Sequence, residues 1–204
     1  MAVERIPEID IDQIKLLFDA ESWLEIGCSE ADARRFTAAV VLAWYCGAQV
    51  MEMARLTLAE WRPAGKNAVF LSPPGGWAAG RPNGVGSRLI PLLAPARGLV
   101  EARLADIGDH TPETILLGAG PKNGDTSGQL EYLRMRIRTI TGGRVTSLAD
   151  LRRRYVYYVR QSGADQDCVA LLASGAPWPR RADGKPEPSL KELLAILAAA
   201  HPAP

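Results

Sequence analysis

A mainly α fold with a small antiparallel β-sheet (α+β class) is what this sequence predicts. Three observations carry that expectation. Helix-start residues followed by apolar residues at helical spacing fill both ends of the chain. Two short stretches of strand-like pattern, Asn67–Leu71 and Ser87–Leu92, stand together in the middle. The Pro- and Gly-rich insert between them, Pro73–Gly86, makes them a hairpin with an enlarged connection.

Taken in order, Ile11–Ala20 reads as a short amphipathic helix. Ser29 and Asp32 form an N-cap signal that opens a long apolar helix, Ala31–Tyr45, which Gly47 stops. A second helix, Val50–Leu56, follows and exits near Thr57 and Glu60. After the hairpin, whose Pro91 suits an edge strand or a strand exit, Pro95–Ile107 is helical. Ile115–Gly118 is a short buried segment, and residues 122–125 form a turn. Thr126 or Ser127 caps a helix over Gln129–Thr139, which Gly142 and Gly143 break. Ser147 caps Leu148–Gln161, and Asp165 caps Gln166–Ala173. Ser189 caps a last helix whose Leu190, Leu193, Leu194 and Leu197 share one stripe. The organisation expected is residues 1–176 as one domain, 177–188 as a Pro-rich linker and 189–200 as a C-terminal amphipathic helix.

Composition narrows the function classes. Of 204 residues, 47% are hydrophobic, enough for a sizeable core and too many for a disordered chain. The apolar runs fall far short of the ~20 residues of a membrane span, and the acidic N-terminus MAVERIPEID reads as no secretory signal. Cys28, Cys46 and Cys168 are widely spaced, and His110 and His201 are the only histidines. This pattern predicts neither a disulfide scaffold nor a zinc site; it suggests a reducing cytoplasm, with Cys46 and Cys168 as core residues and no cofactor. The net charge of +1 conceals a basic block. Between Arg134 and Arg160 stand eight arginines and one acid, Asp150. Such a block is either a surface facing a polyanion or a solvated helix face.

Four stretches in order carry a resemblance: 45–61 (YCGAQVMEMARLTLAEW), 87–92 (SRLIPL), 145–153 (VTSLADLRR) and 163–175 (GADQDCVALLASG). Together they resemble the catalytic domain of tyrosine recombinases, or phage integrases, from about Ile11 to Gly175. That family attacks a DNA phosphorus with a tyrosine hydroxyl, while arginines, a lysine and histidine-type residues stabilise charge and move protons. The chemistry requires such groups. Attack builds negative charge on nonbridging oxygens, which guanidinium forks match bidentately, and the leaving oxygen needs an acid.

The resemblance implies that little of this set survives. The first arginine position falls on Gln49, and Arg55 lies well round the helix from that face. The two histidine positions fall on Ala149 and Gly175, with Trp178 close to the second. The second arginine is kept as Arg152. Arg81 is the cation nearest the lysine position. The nucleophile position falls at Asp183, Gly184 and Lys185, and no tyrosine follows Tyr158. The implication is a domain without an intact catalytic set, working by binding. Arg152, Arg153, Arg144, Arg81, Arg88 and Arg138 are the expected contacts to the phosphate backbone of double-stranded DNA. Tyr155, Tyr157 and Tyr158 are expected in the core or an interface, and His110 as an exposed loop residue.

The last helix docks either on its own domain or in trans, where its leucine stripe would give self-association or pairing with an active recombinase. Three functions are open from the sequence. The first is an inactive DNA-binding accessory or regulatory factor in recombination or integration of a mobile element. The second is an active recombinase with an unusual nucleophile, such as a serine, or one supplied in trans. The third is a protein-interaction module that has lost DNA.

Overall fold

The computed structural model describes residues 10–58, 62–63, 68–71, 88–108, 114, 116–118, 127–174 and 188–201. Around a central helix it sets shorter helices on several sides and a small sheet. Arg81, Gly175, Trp178, His110, the nucleophile position, the Pro73–Gly86 insert and nearly all of the 177–188 linker lie outside the described residues.

The first helical stretch is two helices, not one. Helix α1 (Ile11–Phe18) ends at Asp19, whose extended backbone (φ −85°, ψ 120°) breaks the run. The same residue starts α2 (Ala20–Glu25), its carboxylate accepting the Ser22 N–H at 3.0 Å and hydroxyl at 2.8 Å. Those hydrogen bonds hold the Asp19 carboxyl below its ordinary range.

Ser29 caps α3 (Glu30–Cys46), accepting from the Asp32 N–H at 3.2 Å. From Phe36 to Cys46 every residue of α3 is buried, so the helix is enclosed on all sides and forms the trunk of the fold. Helices α1 and α2 pack against it, as do two later ones, α5 (Ala94–Ile107) and α7 (Leu148–Gln161). At its end Gly47 turns left-handed (φ +60°), and the Ala48 N–H reaches back to the Leu42 carbonyl at 2.9 Å. Helix α4 (Val50–Arg55) follows at once, its Glu52 carboxylate accepting the Gln49 N–H at 2.6 Å.

Strands β1 (Arg62–Pro63), β2 (Ala68–Leu71) and β3 (Arg88–Pro91) form an antiparallel sheet in that order. The register pairs Ala68 with Pro91 and Leu71 with Arg88. Pro63 and Pro91 both sit on edge strands, where a missing N–H is tolerated. No sequence pattern marks β1, which is two residues long.

Helix α5 (Ala94–Ile107) carries Pro95 in its first turn and stops at Gly108. Its buried Arg103 ties the next segment down: Nε donates to the Leu116 carbonyl at 3.0 Å and Nη2 to the Gly118 carbonyl at 2.8 Å. Nη1 meets Asp106 at 3.0 Å, and Asp106 meets Arg34 of α3 at 2.8 Å. Leu116 and Leu117 are buried, as the sequence predicts.

Helix α6 (Ser127–Ile140) and α7 (Leu148–Gln161) flank the two-glycine turn. Helix α8 (Gln166–Val169) takes its cap from Asp165, which accepts the Cys168 N–H at 2.9 Å. The helix predicted to run to Ala173 widens instead: Ala170–Ser174 is one turn of π-helix. Helix α9 (Leu190–Ala200) starts on a reciprocal cap, with Ser189 Oγ accepting the Glu192 N–H and Glu192 accepting the Ser189 N–H at 2.7 Å. It docks on its own domain. Leu193 and Leu197 join Tyr155, Val159, Cys168 and Leu172 in a second apolar cluster beside the α3 core.

Candidate nucleic-acid interface

Helix α7 is the element on which the basic block and the resembled site meet. The sequence predicts a hydroxyl cap from Ser147, but that group makes no cap bond. It lies instead 3.3 Å from the Asp150 carboxylate. Asp150 is the residue that organises the first turn. Only 3% exposed, it accepts the Thr146 N–H at 3.0 Å and the Thr146 hydroxyl at 2.5 Å, and it pairs with Arg153. Burial alone would push this carboxyl up; the bonds from Thr146 and Arg153 outweigh it and hold it below the usual carboxylate range. Ala149 is exposed on this turn.

Arg152 ties together two other segments that carry the resemblance. Its Nε donates to the Gly47 carbonyl at 3.0 Å, at the α3–α4 turn that carries Gln49. Its Nη2 donates to the Ala173 carbonyl at 3.1 Å, in the π-turn that leads to position 175. The structure thus brings together three of the four segments on which the resemblance rests. Nε and Nη2 form the side edge of the guanidinium fork, a pair of donors suited to a phosphate. Here that edge holds two main-chain carbonyls. Gln49 is exposed at the start of α4, where its backbone N–H is taken by Glu52.

The remaining arginines divide by partner. Arg134 pairs with Glu131 at 3.3 Å. Arg136 is half-buried, donating to the Ile26 carbonyl and lying 4.7 Å over the Tyr132 ring. Arg154 lies over the Tyr157 ring at 5.9 Å. Arg138, Arg144, Arg153 and Arg160 are exposed. Arg88 is on β3, an edge strand.

The tyrosines sit inward for the most part. Tyr45 and Tyr155 are buried, and burial drives the Tyr45 phenol to about 12. Tyr158 is half-buried, and its phenol is also pushed up by burial. These rings surround a residue that sequence reasoning missed. His201, just past α9, stands 2.7 Å from the Trp44 carbonyl through Nε2. Its ring lies 4.9 Å from that of Trp44, 5.0 Å from Tyr45 and 5.5 Å from Tyr158. No local signal announces such a contact, because its partners are far away in the chain.

Within the leucine stripe, Leu193 and Leu197 are fully buried against α7 and its neighbours, whereas Leu190 and Leu194 are partly exposed at the margin. All three cysteines are buried, and none of them forms a disulfide. Among the described residues no group of three His, Cys, Asp or Glu comes together, and no helix is long and apolar enough to cross a membrane.

This architecture is similar to that of tyrosine recombinases. The crystal structure of XerA recombinase superposes with a TM-score of 0.60 and 15% identity, covering 96% of this chain and 60% of that one. XerH site-specific recombinase bound to palindromic difH substrate, in a post-cleavage complex, gives 0.60 and 16% over 95% of this chain and 50% of that one. The XerH pre-cleavage complex with difH gives the same TM-score and identity over 94% and 50%. The chain therefore spans half to 60% of the length of these recombinases. No protein-family model and no curated protein matches it.

Proposed function

We propose that this chain is a DNA-binding protein on a recombinase scaffold that does not carry out strand transfer. It acts as an accessory or regulatory factor in the recombination or integration of a mobile element, in the cytoplasm. Its partner is the phosphate backbone of double-stranded DNA, with an active recombinase alongside it.

One observation carries the reading. Positions 159–204 contain no tyrosine, and the position implied for the nucleophile reads Asp183-Gly184-Lys185. A covalent nucleophile is not a partial contributor, since groups that act as a unit fail together. Tyr45 and Tyr155 are too buried to meet a phosphate in its place. Gln49, Ala149 and Gly175 lack the charge and the transferable proton that the reaction needs. What remains is cationic surface, which favours phosphate in a salt-dependent, sequence-independent way.

The test is a pair of measurements on the full chain. A nicked suicide duplex is expected to give no covalent protein–DNA adduct, and a fluorescent duplex to bind with an affinity that falls steeply with salt. A recovered adduct makes the chain an active recombinase with another nucleophile. Absent binding at low salt makes it a protein-interaction module instead.

A further inference from the structure

We propose that Arg138 and Arg144, on either side of the α6–α7 turn, form the main phosphate contact, and that Arg152 has left that role to become a main-chain clamp. This deepens the DNA-binding reading above and rests on it.

The turn is built to hold two guanidiniums outward. Arg138 sits in the last turn of α6, and its carbonyl accepts the Gly143 N–H at 2.8 Å. That bond brings the backbone just before Arg144 against the backbone of Arg138. Thr141 fixes the centre of the turn. It is 1% exposed, with its hydroxyl 2.8 Å from the Ile137 carbonyl and accepting the Val145 N–H at 3.2 Å. Val145, at 0% exposure, anchors the exit in the core. Gly142 and Gly143 adopt positive φ, +59° and +81°, and a Cβ on either would meet nothing within 4 Å. Bare backbone therefore lies between the two arginines, where a sugar–phosphate chain can approach closely. Holding the turn rigid before binding removes much of the ordering cost.

Competition for these cations is weak. Arg144 is 64% exposed, and the acid it meets, Asp10, is itself half-exposed and stands 4.0 Å away. Arg138 is exposed, with no acid against it among the described residues. A solvated pair of that kind yields to a phosphate at little cost. Arg152 is the opposite case, because the fork edge that would grip a phosphate already joins Gly47 to Ala173. The other use for a cation at the end of α6, offsetting the helix dipole, acts on stability and not on DNA.

Salt titration of the full chain on a fluorescein-labelled duplex separates these roles. The double variant Arg138→Ala with Arg144→Ala is expected to keep its Tm. Its slope of log K against log salt should fall by about 2, at about 0.9 for each phosphate left unneutralised. Arg152→Ala is expected to lower Tm and leave the slope unchanged. Should that variant not fold, Arg152→Gln, which keeps donors but no charge, serves the same comparison. An unchanged slope in the double variant overturns the proposal, as does a folded Arg152 variant that loses a full unit. Wild-type protein that fails to bind at low salt overturns the DNA-binding reading itself.

Discussion

The Tyr155 ring occupies the space that a side chain on Gly47 would need: a Cβ built there stands 2.3 Å from both Cδ1 and Cε1. Gly47 is also left-handed and closes the central helix. Gly47→Ala therefore meets a clash and backbone strain together. We expect a loss of about 2 kcal/mol or more, read from urea unfolding midpoints. Gly142→Ala is the control, since it carries the strain without the clash and should cost less.

Arg152 donates to two carbonyls from segments far apart in sequence. Removing it leaves both without that donor. Arg152→Ala should cost about 1–3 kcal/mol. Arg152→Lys should recover little of this, because an ammonium cannot present two parallel donors. Thermal denaturation of the three proteins decides it; full rescue by lysine would refute the two-donor account.

Asp150 gives a pH dependence with a definite sign. Its folded carboxyl titrates below its ordinary value, so the stability it supplies is complete above about pH 4 and falls away as the pH drops below that. In Asp150→Asn this acid-side loss should be smaller, and the protein should be less stable at neutral pH by about 1–3 kcal/mol. Midpoints collected from neutral pH to about pH 3 would reveal it, and parallel curves for the two proteins would count against it.

Leu193 and Leu197 hold α9 on its own domain. Replacing either with Ala opens a cavity and should cost about 2–5 kcal/mol. Leu190→Ala and Leu194→Ala, at the exposed margin, should cost markedly less. If the four substitutions cost the same, α9 does not dock in this way in solution. Limited proteolysis gives a second reading, since a released α9 is cut faster than the rest of the domain.

Much of this fold is legible in the chain, for local reasons. Ser29 and Gly47 bound the central helix within a residue of its observed limits, and Leu148–Gln161 is predicted and observed with the same ends. Each rests on a cap or an apolar period that the sequence displays directly. The features that escape it lack such a display. One aspartate, Asp19, serves as the end of α1 and the start of α2, so two helices look like one. The π-turn after Val169 has the composition of the α-helix it replaces. At the site, the resemblance points to Arg152, but its partners are backbone carbonyls, which no residue type encodes. His201 finds the Trp44 carbonyl from 157 positions away, and only the folded chain brings the two together.

The burial of Cys28, Cys46 and Cys168 has a practical side. These are all the thiols the chain has, and burial drives that of Cys168 to about 12, leaving almost none of it as reactive thiolate at neutral pH. A cysteine introduced on the outside, as in Arg160→Cys, would become the one handle open to a maleimide dye or crosslinker. The wild-type chain is in effect a cysteine-silent background, ready for mapping which face meets a bound duplex without first rebuilding its interior.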